Sequence, residues 1–297
     1  MKPEYREEPC RTALNKVTGM PFNWSLNPYM GCAHRCTFCY VRAFERRADR
    51  PADDRYGTSI RVKINVADVL DRELSRRTWR REVVAIGAAT DPYQPAEGHY
   101  RLTRACVERL AAHRTPFHLI TRGPMAVRDV DVLTEAAGRA SVSLTFSIPT
   151  LDHDIWRRTE IGTAPPKQRL RALRTLVEAG LDVGVGMAPI LPGLSDKPEL
   201  MADVVRAARD AGATGVWANL LYLRRAPGST SWTTWPATGR SCCDATSGST
   251  QAGHTWAGRW RSRSADACAT WFASMGSATG GLCGSSLPRR TSSLASR

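Results

Sequence analysis

The chain has 297 residues, with 42 basic and 28 acidic side chains and a formal net charge of +14. With 42% apolar and 24% charged residues it is not a disordered polyelectrolyte, and it contains no apolar run long enough to span a bilayer. The first eight residues are charged and lack the apolar stretch of a secretory signal, which predicts a cytoplasmic protein with no membrane partner. Thiols stay reduced there, so clustered cysteines indicate a metal or redox site rather than disulfides.

The first elements predicted from hydrophobic periodicity are a strand over 24–29 and a helix near Val66–Ser75. Residues 1–23 are interpreted as an N-terminal extension and 49–62 as a polar loop. From residue 82 onward a short apolar strand and an amphipathic helix alternate. The strands are predicted at 83–86, 117–120, 141–148, 182–187 and 215–223, and the helices at 101–113, 127–137, 170–177 and 200–208.

Glycines follow three of these helices and are expected to end them in the left-handed conformation: Gly138, Gly180 and Gly212. The alternation of buried strands and helices predicts an α/β fold with a parallel sheet and right-handed crossovers. About six such units fit into the first 228 residues, which suits an incomplete barrel or a doubly wound sheet. In both folds, ligands bind at the carboxyl ends of the strands.

Residues 229–297 differ in composition from the rest of the chain. They contain no Lys, Glu, Val, Ile, Tyr or Asn, yet hold five of the nine tryptophans and four of the nine cysteines. This mix resembles a GC-rich coding sequence translated in the wrong frame, and the hypothesis is a frameshift near Pro227–Gly228; the alternative is a genuine disordered tail. Both predict an irregular or disordered tail after a folded part at 24–228. Without the tail the net charge is +9, with arginines scattered along helices, which is compatible with a nucleic-acid partner but also common in proteins that bind none.

Residues 31–40 follow the first predicted strand and carry Cys32, Cys36 and Cys39 in the spacing C-x3-C-x2-C. A four-iron cluster normally takes four cysteines, so three would leave one iron open to a chelating ligand. A structural zinc site would need a fourth ligand, and His34 lies too close to two of the cysteines. A thioredoxin-like pair would not need Cys32. The spacing therefore favours a cluster, with His34 as a solvated loop residue.

This spacing, with Phe38 at the aromatic position, resembles the cluster loop of the radical S-adenosylmethionine (SAM) superfamily. Three further segments resemble the subgroup related to spore photoproduct lyase, described as DNA repair photolyase-like. They are Asn-Pro-Tyr-Met-Gly-Cys at 27–32, Thr-Asp-Pro-Tyr-Gln-Pro-Ala-Glu at 90–97 and Ala-Pro-Ile-Leu-Pro-Gly-Leu at 188–194. The resemblance covers about residues 20–226. It implies a partial (β/α)6 TIM-like barrel with a [4Fe-4S] cluster on the three cysteines and SAM bound across the strand ends.

The resemblance also implies which residues contact SAM. Segment 88–91 corresponds to the place where the superfamily contacts the SAM amino group, although its usual Gly-Gly-Glu is absent. Arg122 stands where relatives often carry Lys and would bind the SAM carboxylate, Ser147 would contact the ribose, and 187–190 would pack on the adenine. The predicted SAM contacts are Phe38, Ala89, Thr90, Asp91, Arg122, Ser147, Met187 and Pro189, and the predicted catalytic residue is Tyr40, as a radical relay.

These assignments have structural alternatives. Arg122 would otherwise be a solvated loop charge, Ser147 a satisfied strand hydroxyl, Asp91 a turn residue and Tyr40 a packing residue. Glu160 resembles a family glutamate usually followed by Pro, and is interpreted here as part of a surface ion pair with Arg157. Two further interpretations are that Cys106 is a buried core thiol and that Gly184 and Gly186 leave room for a ligand.

The predicted function is that of a radical SAM enzyme, which cleaves SAM reductively to a 5′-deoxyadenosyl radical that abstracts hydrogen from an unknown substrate. Nucleic acid is the candidate substrate, and a flavodoxin or ferredoxin the candidate reductant. Two alternatives remain: an inactive frameshifted product, and a metal-cluster nucleic-acid-binding module without turnover.

Overall fold

A computed structural model describes residues 3–42, 45 and 55–221. The strands are β1 (Glu4–Glu8), β2 (Leu14–Lys16), β3 (Trp24–Leu26), β4 (Tyr29–Met30), β5 (Ser59–Lys63), β6 (Val84–Ile86), β7 (Phe117–Thr121), β8 (Val142–Ser147), β9 (Asp182–Ile190) and β10 (Val216–Leu220). The helices with described bounds are α1 (Val66–Leu74), α2 (Glu97–Tyr100), α3 (Leu102–Ala112), α4 (Val130–Ala137), α5 (His153–Thr159), α6 (Pro166–Glu178) and α7 (Pro198–Asp210), and a 3₁₀ helix covers Pro124–Asp129.

The main sheet has the strand order β10-β9-β8-β7-β6-β3-β2. Its first six strands in that order run parallel, and β2 joins antiparallel to β3. The centre of the sheet is a registered row of buried apolar residues from five adjacent strands: Leu26, Ile86, Leu119, Leu144 and Val183. The structure confirms the predicted α/β fold, a mostly parallel sheet consistent with a partial TIM-like barrel.

For the first 63 residues the structure adds to one prediction and corrects another. Residues 1–23 are more than an extension, because β2 pairs with the main sheet and β1 pairs with β5 in a second sheet ordered β1-β5-β4. The predicted polar loop at 49–62 ends in strand β5, where buried Ile60 and Val62 alternate with Arg61 and Lys63. This period of two is the pattern of a half-buried strand.

The predicted strand at 24–29 divides into β3 and β4, which lie in different sheets. The glycine prediction holds at Gly180 and Gly212, whose φ values are +85° and +84°. It was wrong at Gly138, whose φ of −71° is that of a right-handed helix.

The predicted tail at 229–297, with its frameshift hypothesis, lies outside the described residues, and the boundary at 228 stays a prediction. No helix in the described part of the chain is both long and apolar enough to cross a membrane.

Candidate functional site

The three cysteines of the predicted cluster lie on a loop of successive turns just after β4. The amide of Arg35 donates to the carbonyl of Cys32 at 3.3 Å, and the amide of Cys39 donates to that of Cys36 at 3.2 Å. Arg35 has a φ of +52° between the two turns. All three thiols are free; Cys36 is buried and the other two are partly exposed.

The three thiols lie close enough to influence one another. Burial raises the pKa of Cys32 well above its ordinary value, and Asp91, Cys36 and Cys39 raise it further. Burial raises the pKa of Cys36 to about 12, against the opposing effect of the Arg122 charge. Within the described residues, no three His, Cys, Asp or Glu side chains converge as ligands of a single metal ion. A cluster makes a different demand, since each thiolate binds its own iron, and three free thiols on one loop fit that donor chemistry.

Thr90 and Gln94 anchor the start of this loop to the segment that follows β6. The Thr90 hydroxyl donates to the Gly31 carbonyl at 2.6 Å, and Gln94 Nε2 donates to the same carbonyl at 3.2 Å. Gln94 Oε1 accepts from the Ala33 amide at 3.0 Å, so one buried amide group holds both sides of Cys32. Sequence analysis missed Gln94, although it lies within the segment 90–97.

Asp91 forms a buried junction between the ends of β6 and β7. Its Oδ1 accepts from the Tyr93 amide at 2.9 Å and the Thr121 hydroxyl at 2.6 Å, and its Oδ2 accepts from the Arg122 amide at 2.6 Å. His34 Nδ1 lies 3.2 Å from Oδ2. Burial by itself would raise the pKa of Asp91, but His34, the Thr121 hydroxyl and the Arg122 amide together lower it to about 2.

His34 is therefore not the solvated loop residue that was predicted, since only 4% of it is exposed. Its carbonyl accepts from the Gly162 amide at 2.9 Å. The two contacts place His34 between the β6–β7 edge and the α5–α6 connection, and the pairing with a buried carboxylate accounts for its burial.

The α5–α6 connection holds the opposite side of the cysteine loop. The amide of Thr37 donates to the carbonyl of Thr159 at 2.9 Å. At Gly162 a Cβ atom would lie 2.4 Å from the Ala33 carbonyl oxygen and 3.0 Å from the Cα of His34. Only glycine permits this approach of two backbones, so the loop is fixed from both sides.

Arg122, at the end of β7, joins a buried charge network. Its Nε donates to Glu160 Oε1 at 2.8 Å, and its Nη2 donates to the Ala188 carbonyl at 3.0 Å. Glu160 has no exposed side-chain surface and also accepts from Arg169 Nη1 at 2.9 Å. The predicted surface pair of Glu160 with Arg157 was wrong, and so was the alternative of Arg122 as a solvated charge. Both side chains instead neutralise each other inside the protein.

The predicted aromatic residues of the loop lie beside this network. The Arg122 guanidinium carbon lies 5.5 Å from the centroid of the Phe38 ring, a cation–π contact. Tyr40 is half exposed, and its hydroxyl donates to the Ala88 carbonyl after β6. Tyr56, which sequence analysis missed, is buried with its hydroxyl 3.3 Å from Cys39 Sγ.

The remaining predicted SAM contacts lie at the ends of β6, β8 and β9. The Ala89 amide donates to Asn27 Oδ1 at 2.9 Å. The buried Ser147 accepts from Arg169 through its carbonyl at 2.8 Å. Met187 is buried, and Pro189, after a cis peptide bond, is partly exposed. The structure thus places every predicted site residue at the carboxyl ends of the parallel strands or on the cysteine loop.

Two minor predictions have opposite outcomes. Cys106 is fully buried on α3, which confirms a core thiol. The expected room for a ligand at Gly184 and Gly186 was wrong. A Cβ atom at Gly186 would lie 2.9 Å from the Trp217 ring, and one at Gly184 would lie 3.0 Å from the Gly215 carbonyl oxygen. The space beside these glycines is filled by β10 and the segment before it.

Comparison with known proteins gives a consistent picture. The family model described as Radical SAM superfamily matches residues 26–205. An uncharacterized protein of Mycobacterium tuberculosis is 41% identical over 223 residues, which are 74% of this chain and 66% of that protein. An uncharacterized protein of Acidianus two-tailed virus is 30% identical over 213 residues, 68% of each. The match therefore spans just under two thirds of the mycobacterial relative's length.

Solved structures share the fold. Spore photoproduct lyase with bound AdoMet and dinucleoside spore photoproduct aligns with a TM-score of 0.59 and 18% identity, covering 75% of this chain and 63% of that one. The same lyase complexed with dinucleoside spore photoproduct alone aligns with a TM-score of 0.57 and 18% identity, covering 72% and 60%. At this identity the likeness concerns the fold.

Proposed function

This chain belongs to the radical SAM superfamily, and from that premise we propose that it binds a [4Fe-4S] cluster through Cys32, Cys36 and Cys39 and cleaves SAM reductively. The observation that supports this most directly is the cysteine loop itself. It carries three free thiols beside the carboxyl ends of β3 and β6 and is fixed from two sides by Gln94 and Gly162. Such pre-organisation is what a cluster with one open iron requires of its protein.

When bound, the reduced cluster would supply one electron to the SAM sulfonium, breaking the S–C5′ bond to give methionine and a 5′-deoxyadenosyl radical that takes a hydrogen atom from the substrate. The chain itself positions SAM. We assign the SAM carboxylate to Arg122, whose Nε and Nη2 are held by Glu160 and the Ala188 carbonyl. Its Nη1 has no hydrogen-bond partner among the described residues. A guanidinium fixed along one edge can present the other to a carboxylate.

The other predicted contacts divide into two groups. The Thr90 hydroxyl and the Asp91 carboxylate make several hydrogen bonds within the protein, so we assign them to positioning the cysteine loop and β7. Phe38, Ala89, Ser147, Met187 and Pro189 remain the proposed contacts of the adenosine moiety. Tyr40, half exposed beside the loop, remains the proposed radical relay.

We propose nucleic acid as the substrate class to examine first. The support is the fold shared with spore photoproduct lyase, whose structure contains a dinucleoside spore photoproduct. A flavodoxin or ferredoxin would supply the electron.

The proposed function is tested by anaerobic reconstitution with iron and sulfide, followed by incubation with SAM and dithionite. The expected results are about four irons per chain and formation of 5′-deoxyadenosine. Cys32→Ala should lose both. The matched variant Cys10→Ala should retain both, because within the described part of the chain the hydrogen bonds of Cys10 are made by its backbone, with Asn65. Iron uptake without formation of 5′-deoxyadenosine would instead identify a binding module without turnover. If the unmodified chain neither takes up iron nor forms 5′-deoxyadenosine, it is an inactive product.

A further inference from the structure

Six exposed arginines lie on the loops that lead into three adjacent strands, at the end of the sheet opposite the cysteine loop. We infer that this surface, here called the arginine face, docks the phosphate backbone of a nucleic acid. Its members are Arg76, Arg77, Arg80 and Arg81 before β6, Arg114 before β7, and Arg139 before β8. The inference does not depend on the cluster or on SAM.

The strand register brings these loops together. Val84, Phe117 and Val142 pair with one another across β6, β7 and β8. An arginine stands three residues before each of them: Arg81, Arg114 and Arg139. Neighbouring strands lie about 4.8 Å apart, so the loops entering these strands form one continuous edge. Residues distant in sequence thus combine into a single basic surface, which the scattered arginines of the sequence did not predict.

The charges of the arginine face are largely uncompensated. The guanidinium groups of Arg76, Arg77, Arg80, Arg81 and Arg114 contact no carboxylate among the described residues, and only Arg139 does so, with the exposed Glu135 at 2.7 Å. Glu82, the acidic residue next to Arg81, is bound by Asn23 and Trp24 instead. By contrast, four arginines toward the carboxyl ends of the strands are paired with carboxylates: Arg104, Arg122, Arg128 and Arg169.

The loops of the arginine face are held in defined conformations. Arg81 and Arg114 have φ values of +52° and +50°, a region that non-glycine residues occupy at a cost of about 1 kcal/mol or more. Trp79 ties the two loops together, because its Nε1 donates to Thr115 Oγ1 at 3.1 Å. Its ring also packs edge-on against Trp24, with centroids 5.6 Å apart. The arginine side chains therefore project from fixed backbone.

The chemistry of the arginine face favours a nucleic acid over other acidic partners. The six residues that define it are arginines, whose planar fork suits the oxygens of a phosphate diester. An acidic reductant would have to reach the cysteine loop, but the five residues of β7, about 17 Å of strand, lie between Arg114 and the carboxyl end of the sheet. A membrane surface would be bound through exposed apolar anchors. Near the arginine face Val83 is exposed, but the larger Trp79 ring packs against Trp24, so the exposed apolar area there is small.

The test measures binding of the full-length chain, without cluster, to a fluorescein-labelled 20-base-pair DNA duplex by fluorescence anisotropy between 50 and 200 mM KCl. The triple variant Arg77→Gln, Arg81→Gln, Arg114→Gln should bind at least about tenfold more weakly, with a salt slope reduced by about two to three. The matched control Arg157→Gln, Lys167→Gln, Arg171→Gln removes three exposed charges on α5 and α6 and should stay within about twofold.

A second triple variant keeps the test decisive if the first does not fold. Arg76→Gln, Arg77→Gln, Arg80→Gln changes no residue of positive φ and should weaken binding by a similar factor. Equal loss in the control, or no loss in either face variant, would overturn the inference. Binding to vesicles containing 30% phosphatidylserine, without binding to DNA, would overturn it in favour of a membrane surface.

Discussion

Arg122 and Glu160, 38 residues apart in sequence, join the end of β7 to the α5–α6 connection through a hydrogen bond of 2.8 Å between Nε and Oε1. Glu160 is fully buried and holds Arg169 as well. One carboxylate thus fixes both the arginine beside the cysteine loop and the connection that packs on that loop.

Replacing Glu160 with glutamine should destabilise the protein. Two guanidinium groups would lose their counter-charge in a buried setting, which typically costs about 3 kcal/mol or more. Urea unfolding of the cluster-free chain measures this, with the exposed Glu178→Gln as a control expected to stay within about 0.5 kcal/mol. Equal stability of the two variants would show that the network contributes nothing.

Arg122→Lys should weaken binding of the amino-acid part of SAM specifically, if the proposed function holds. Lysine keeps the charge but cannot bind Glu160, the Ala188 carbonyl and a ligand carboxylate in one plane. Calorimetry on the reconstituted protein should show at least about tenfold weaker binding of S-adenosylhomocysteine. The affinity of the variant for methylthioadenosine, which lacks the carboxylate, should stay within about twofold of that of the unmodified protein. A parallel loss for both ligands would mean general damage to the pocket.

The fold was predictable because its signal is local. Short apolar runs, amphipathic stripes and glycines at helix ends can each be recognised within a few neighbouring residues, and they predict the parallel strands. Strand β5 was missed because Arg61 and Lys63 occupy its outward positions. By composition alone such a segment resembles a polar loop, and only the alternation of buried and outward residues identifies it as a strand.

The candidate site was predictable as a set of positions but not as a set of contacts. The cysteine spacing is local, and strand ends locate Arg122 and Ser147. Burial of His34 and Glu160 was not foreseeable, because a charged or polar residue is solvated by default unless its partner is known. Their partners, Asp91 and Arg169, come from other elements of the fold.

Asp91 should make stability depend on pH at the acid end. Its pKa of about 2 in the folded protein is below the ordinary 3.8, so the carboxylate stabilises the fold above about pH 4. That contribution, about 2 kcal/mol, should be lost progressively as pH falls from about 4 to 2. Asp91→Asn should flatten this part of the curve in unfolding measurements from pH 6 to 2. Asp154→Asn, at a position 92% exposed, should leave it unchanged.

Two glycine substitutions should have opposite effects. At Gly162 an added Cβ would lie 2.4 Å from the Ala33 carbonyl oxygen and against the His34 backbone, neither of which can rotate away. We expect Gly162→Ala to cost about 1–3 kcal/mol of unfolding free energy and to reduce iron uptake on reconstitution, because the cysteine loop must shift.

At Gly138 the nearest atom would be 3.5 Å away and φ is −71°, so alanine fits. Gly138→Ala should be neutral or stabilise by up to about 1 kcal/mol, through a less flexible unfolded chain, with iron uptake unchanged. Thermal unfolding and iron analysis of the two variants side by side check both halves, and full iron uptake by Gly162→Ala would show that the α5–α6 connection does not control the loop.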